Sequence, residues 1–317
     1  MSILEKCAAV TVVRTIDEMG EIARTAERLG YWGVGVSDSP LLYHEMYPAI
    51  TWLLGQTERI KVATNVTNPV SRHWTVHASS ARTLDDIAPG RFLLGLAVGD
   101  GAVHSIGRKP ATRKELAQVV RDMRPHTPDS VPIHLAVSGP KVAATAGEVA
   151  DGIIVSTGND PAAIKGLVDI SRAHAPGPIE AWALLNFSVV EDESQVASAR
   201  ERAMPVSMAM SRFSLAETLD GKAVPEHLHD RIRTAFARYD HNHHAELGSA
   251  NPNAHIFDED PEAYDYLIDR FCIVDTPAGC VARLERILEE ADLDGIWLVV
   301  GGDDPVGELT RLATGIA

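Results

Sequence analysis

A closed (β/α)8 TIM barrel is the fold class this sequence predicts, and three observations predict it. Eight short apolar runs alternate with helix-patterned segments, the rhythm of a parallel sheet covered by helices. The chain has 317 residues, 45% of them hydrophobic, enough for one barrel-sized core. The apolar runs end in glycine and small polar residues, at the C-terminal rim where parallel α/β proteins bind ligands. The alternative is an open doubly wound sheet, which the lack of a G-x-G-x-x-G after the first run disfavours.

The elements follow in order. Ala8 to Val13 reads as strand 1. Ile16, Met19, Ile22, Ala23, Ala26 and Leu29 then share one helix face, and Gly30 stops that helix. Trp32 to Val36 is strand 2, with a helix over Tyr47 to Leu54. Ile60 to Val66 (strand 3) and Phe92 to Val98 (strand 4) flank a helix that stops at Pro89-Gly90. Thr112 to Met123 is helical, Pro132 to Val137 is strand 5, Lys141 to Val149 is a short helix, and Gly152 to Val155 is strand 6. A helix starting near Pro161 leads to strand 7, Ile179 to Val190.

Glu193 to Leu219 is a long helical region, expected to kink or break at Pro205. From Gly221 to Asp260 the alternation fails. Helices over Pro261 to Phe271 and Gly279 to Ala291 follow. Strand 8, Ile296 to Val300, ends in Gly301-Gly302-Asp303-Asp304, and Pro305 to Ala317 is the last helix. The expected organisation is one domain over residues 1–317, with an insertion at about 193–275 before the last strand.

Composition narrows the function. A net charge of −15 makes nucleic acid and anionic membrane surfaces poor partners. Cys7, Cys272 and Cys280 follow no metal spacing, and their odd number argues against a disulfide framework. The N-terminus lacks a signal-peptide layout, so a cytoplasmic location is expected. No metal site is expected. His73 and His77 share a helix face but have no third ligand in view, which points to packing or hydrogen bonding. His227, His229, His241, His243, His244 and His255 in the insertion suggest a solvated lid or partner surface.

Several rim positions are candidates for chemistry. Thr64-Asn65-Val66 ends strand 3 before Asn68-Pro69, either as a turn or as a distorted strand end laid against a flat ligand. Val98-Gly99-Asp100-Gly101 ends strand 4. Asp100 is either the cap of a tight turn or a proton donor raised by burial in the mouth. Ser138-Gly139 and Ser156-Thr157-Gly158 each precede a helix, as N-caps or as a phosphate cradle. Asp38, after strand 2, is a turn residue or a catalytic carboxylate.

Three segments carry a resemblance: SDSPLLYHEMYPAI, RIKVATNVTNPVSRHWTVHASSARTLDDIAPGRFLLGLAVGDG and SGPKVAATAGEVADGIIVSTG. They resemble the bacterial-luciferase-like flavin and deazaflavin oxidoreductases, nearest the branch containing methylenetetrahydromethanopterin reductase. The resemblance implies a (β/α)8 barrel, a homodimer, and a cofactor in the mouth, either coenzyme F-420 (an 8-hydroxy-5-deazaflavin) or FMN. It implies a non-prolyl cis peptide at Asn65-Val66 behind the ring, and a proton donor at Asp100. It places the ring against Thr64, Asn65 and Val66 and near Val98 and Gly99. The phosphate then falls near Ser138, Gly139, Ser156, Thr157 and Gly158. Two features depart from the pattern. Ser39 stands where related dehydrogenases carry a histidine base, and strand 1 (AAVTVVRT) lacks the glutamate of the methanopterin reductases. The expected activity is hydride transfer between F-420 and a small organic substrate. An FMN-dependent monooxygenase and a non-catalytic flavin-binding barrel are the alternatives.

Overall fold

A computed structural model describes residues 2–12, 14–216, 218–219, 222–243, 246, 250–300 and 304–316. Among the described residues there are nine parallel strands: β1 Cys7–Thr11, β2 Gly33–Val36, β3 Lys61–Thr67, β4 Phe92–Leu96, β5 Ile133–Val137, β6 Gly152–Val155, β7 Glu180–Val189, β8 Ile273–Asp275 and β9 Gly295–Val299. Strands β1 to β6 pair in sequence. β7 then pairs with β6 on one side and β9 on the other, and β9 pairs with β1. That second pairing closes a ring of eight, as expected.

The helices are α1 Ile16–Leu29, α2 Met46–Gln56, α3 Trp74–Ile87, α4 Gly101–His104, α5 Arg113–Met123, α6 Pro140–Val149, α7 Pro161–His174, α8 Val196–Leu215, α9 His229–Phe236, α10 Pro261–Phe271, α11 Pro277–Glu290 and α12 Pro305–Thr314. Helix α1 shows why they form where they do. Thr15 caps its N-terminus by accepting from Glu18 N, and Gly30 ends it in the left-handed region at φ 86°. Its buried residues Met19, Ile22, Ala23 and Ala26 face the sheet. Tyr31, just beyond, donates to the Leu309 carbonyl of α12 at 2.9 Å and ties the first helix to the last.

Three features go beyond the sequence reading. Helix α8 runs through Pro205 without a break, which excludes one of the two expectations, a break or a kink. Proline removes one N–H there, and the residue is buried on the face of the helix that lines the cavity. Strand β8 was not foreseen. It has three residues, too few for an apolar run, and pairs only with Phe187–Val189 at the outer end of β7. The histidine-rich stretch is more than a solvated lid. Met204, Met208, Leu228, Ile232, Phe236, Phe257 and Phe271 form a second core inside the insertion. Val13, His244, Gly301, Gly302, Asp303 and Ala317 lie outside the described residues.

The barrel interior fills by alternation along each strand. Trp32, Trp182 and Trp297 meet there, with ring centroids 4.4 to 5.6 Å apart. His134 of β5 is fully buried, and Gly152 beside it leaves no room for a β-carbon against the ring. Glu180 Oε2 stands 3.4 Å from its Nε2, outside hydrogen-bond alignment. Desolvation wins, and burial pushes the imidazole from 6.5 down to about 4.

A base whose folded value is depressed is neutral in the fold, while the unfolded chain takes up protons first. Stability from His134 is therefore complete above pH 6.5 and is lost as pH falls toward 4. The expected slope is about 1.4 kcal/mol per pH unit in that window. Urea unfolding at pH 6.5 and 5 checks it: His134→Gln is expected to remove about 2 kcal/mol of the wild-type loss, and an unchanged slope refutes the assignment.

Candidate active site

The strand C-termini open into one cavity of about 690 Å³, a size that suits cofactors and small substrates. Barrel residues Val12, Asn65, Val66, Ala136, Ile154 and Val299 form its floor. Opposite them, α8 turns Pro205, Val206, Ala209, Met210 and Phe213 inward. That spacing is one face of a helix.

Strand β3 is distorted where the floor needs it. Its register against β4 slips between Thr64 and Thr67, with one more residue on β3 than on β4. The Asn65–Val66 peptide within this bulge is cis. Ser37 Oγ donates to the Asn65 carbonyl at 3.2 Å. The Asn65 amide Nδ2 is buried and has no protein partner, and the residue lines the cavity. A buried donor left open at a cavity wall suits a ligand acceptor. Thr64 does not reach the cavity. Its hydroxyl donates to the Gly95 carbonyl at 2.7 Å and accepts from Gly95 N at 2.8 Å, so it ties β3 to β4.

Asp38 lines the cavity, but its carboxylate is already engaged. It accepts from Thr67 Oγ1 at 2.6 Å and pairs with Arg72, which also pairs with Glu45 and lies 5.7 Å over the Tyr47 ring. Tyr47 contacts His77 Nδ1 at 2.7 Å, and His77 Nε2 lies 3.2 Å from the Asn68 carbonyl. Burial pushes His77 down to about 4. The neutral ring then donates through Nε2 to Asn68 and accepts the Tyr47 hydroxyl at Nδ1. His77 is a hydrogen-bonding residue, as its spacing suggested, and His73 caps α3.

Asp100 sits at the start of α4 and makes no side-chain capping bond. The turn before it needs glycine: Gly99 has φ 84°, and a β-carbon there collides with Val103. Both Asp100 oxygens accept from Arg212 Nη1, at 2.8 and 2.6 Å, and His104 Nε2 is 3.5 Å away. Arg212 comes from α8 and lies 5.4 Å over the Tyr239 ring. Val98 stays behind the wall, with its carbonyl bound to Ala111 N.

The expected phosphate residues divide. Ser156 lines the cavity, whereas Ser138, Gly139, Thr157 and Gly158 lie beside it at the tops of β5 and β6. Gly139 stands at the N-terminus of α6 without a side-chain cap. The Thr157 hydroxyl is buried and unpartnered. Two buried cations from the insertion converge here. Arg270 Nε donates to the Thr157 carbonyl at 3.0 Å, and its Nη2 donates to the Lys222 carbonyl at 2.8 Å. A β-carbon on Gly139 would lie 3.9 Å from Lys222 Cε, and the Lys222 amino group donates to the Ser214 carbonyl. An uncapped helix start, an open hydroxyl and nearby cations fit an anionic tail.

Arg212, Tyr239, Lys222 and Arg270 escaped the sequence analysis. All belong to the insertion and reach the rim only through the fold. Their one sequence signal is cationic or aromatic character in an acidic, polar segment. Among the insertion histidines, His227 Nε2 lies 2.9 Å from Glu262 Oε1, His255 Nδ1 2.9 Å from Asp258 Oδ2, and His229 Nε2 2.9 Å from the Val224 carbonyl. Among the described residues no group of three or more His, Cys, Asp or Glu is placed to hold a metal, and no helix is long and apolar enough to cross a membrane.

A closed parallel barrel whose strand ends share one deep hollow defines the class: TIM-barrel proteins with the site on the C-terminal face. Within that class, the model of the luciferase-like monooxygenases matches residues 5–123 and 110–295, and the chain belongs to this family. It is similar to 5,10-methylenetetrahydromethanopterin reductase of Methanolobus tindarius, 26% identical over 92% of this chain and 91% of that protein. The solved coenzyme F-420 dependent tetrahydromethanopterin reductase of Methanopyrus kandleri superposes with a TM-score of 0.75 at 19% identity, over 98% of both chains. An F-420-dependent secondary alcohol dehydrogenase superposes with a TM-score of 0.70 at 16% identity, again over 98% of both.

Removing Arg72 leaves a buried carboxylate unpaired. Arg72→Gln is expected to destabilise the protein by about 3 kcal/mol. The more exposed pair of Arg200 with Asp265 is expected to contribute below about 1 kcal/mol. Denaturant midpoints of Arg72→Gln and Arg200→Gln decide between this ranking and equal effects.

Proposed function

We propose that this protein transfers a hydride between coenzyme F-420 and a small organic substrate. The observation that carries the proposal is the open Asn65 amide in the floor of a cavity flanked by the cation-backed start of α6. Relatives that use F-420 support the choice of cofactor. When bound, the reduced deazaflavin supplies a hydride from its central carbon.

The chain's own residues do the rest. Asn65 Nδ2 would offer the coenzyme a hydrogen bond, and Val66 would help to hold it from the cavity floor. The N–H groups of α6, with Ser138, Gly139, Thr157 and Lys222 near them, hold the phosphate. Ser156 lines the cavity wall at the top of β6, and Gly158 lets the Arg270 backbone pack beside it. Asp100 moves the substrate proton, and Arg212 fixes its carboxylate toward the cavity. Asp38 acts at a distance by holding the β2 and β3 ends together through Thr67 and Arg72. The apolar face of α8 excludes water from the reacting atoms. We further place the protein in the cytoplasm as a homodimer, without nucleic-acid or membrane partners, as its acidity and family resemblance imply.

Membership of a family described by its monooxygenases favours one second reading, FMN with oxygen as co-substrate. Fluorescence titration with F-420 and with FMN separates the two. Saturable F-420 binding without oxygen consumption is expected, and tight FMN binding without F-420 binding reverses the assignment. Asp100→Asn is expected to keep cofactor affinity while turnover falls by about a hundredfold, the usual scale of a lost acid–base group. Unchanged turnover removes Asp100 from the proton step.

A further inference from the structure

The wall of the cavity facing the barrel floor says what kind of substrate it takes. Along α8, Pro205, Val206, Ala209, Met210 and Phe213 form an unbroken apolar surface, and Leu42 and Tyr43 extend it from the β2–α2 connection. Among the described residues, each carboxylate and guanidinium in the lining has a partner beside it. Arg14 pairs with Glu18, Asp38 with Arg72 and Asp100 with Arg212, and Glu246 Oε1 lies 2.8 Å from His243 Nδ1. A substrate carboxylate or phosphate on this side would have to break one of these pairs and leave a half-buried ion behind. A polar corner adjoins this wall: Asp100, Tyr239, His241 and Asn242 line it, with the Tyr239 and His241 rings 5.4 Å apart, and hydroxyl, amide and ring N–H groups there suit a substrate oxygen.

From this we infer that the substrate is a small, uncharged, mainly apolar carbonyl compound or the matching alcohol, lying against α8 with its oxygen at that corner. The inference rests on the proposed hydride transfer for its chemistry. In reduction, the carbonyl carbon gains the hydride with its electron pair and the C=O π bond breaks. The oxygen takes a proton that solvent supplies and the Asp100 carboxylate relays, giving the alcohol, while the coenzyme is oxidised by two electrons. The reverse direction returns both.

Saturation-transfer NMR on the F-420-loaded protein tests it, with cyclohexanone and glucose 6-phosphate as probes. Cyclohexanone is expected to bind, and the sugar phosphate is expected not to compete. Ala209→Lys and, as a second variant, Val206→Lys each place an unpaired cation on a half-exposed position of the apolar wall. Each is expected to weaken cyclohexanone binding by roughly tenfold or more while F-420 affinity, followed by fluorescence, stays within about twofold. Tighter binding of the sugar phosphate, or cyclohexanone affinity indifferent to both variants, overturns the inference. Loss of F-420 binding alone would sink the hydride-transfer proposal instead. The cyclohexanone measurement on the same protein without coenzyme still reports on the wall.

Discussion

The double pairing of β7 is the constraint on which the rest of the structure depends. Residues Gly152–Val155 of β6 hydrogen-bond to Glu180–Ala183, and Gly295–Val299 of β9 hydrogen-bond to Trp182–Asn186. With both sides of β7 taken, the sheet has no edge along the ring, and all eight strand ends must point into one mouth. The same strand continues past the rim. Phe187–Val189 run above the barrel and pair with β8. The insertion thus leaves the barrel after β7 and comes back beside it, and both its ends are fixed to one ladder.

That anchoring explains how a long excursion between two barrel strands can form half of a cavity. Its own apolar core, built around Met208, Ile232 and Phe257, makes it a packed unit. Polar contacts then fix it over the mouth. Arg212 reaches Asp100 above β4, and Arg270 reaches the Thr157 carbonyl above β6. Burying guanidinium groups costs desolvation, which is recovered only when their donors are matched. Arg270 meets that condition by spreading its donors over Thr157, Lys222, Tyr266 and Asp160. Its role is therefore to hold backbone in place, and the Asp100–Arg212 pair is the contact through which the insertion touches the proposed chemistry.

Much of the barrel was legible because its strands are constrained on both faces. Apolar runs at Ala8, Ile60, Phe92 and Gly152 could be read directly, since helix-facing and interior-facing residues are both buried. Rim residues such as Asn65, Gly99 and Ser156 were legible for the same reason: each lies at or just past the end of such a run, and in this fold that position is the mouth. Thr64 and Val98 show the limit of the rule. One residue earlier or later along a strand turns the side chain into the wall, and spacing alone does not tell which. Strand β8 was hidden by its length, and the continuity of α8 by its proline. Arg212, Lys222 and Arg270 were hidden because they act across 112, 83 and 113 residues of sequence, on Asp100, Gly139 and Thr157.

The charge of the chain sharpens this division between a readable barrel and an unreadable insertion. At −15 overall, the protein repels anions at long range. A phosphate tail nevertheless needs only a local field, because exposed carboxylates more than about 8 Å away are largely screened at physiological salt. Lys222 and Arg270 lie inside that distance from the strand tops and are buried, where screening is weak. No periodic pattern demands a cation at either position, so only the closed ring, by bringing the insertion over β5 and β6, gives those two residues a part in the site. The same segment thus brings buried cations beside the start of α6 and the apolar face of α8 to the cavity.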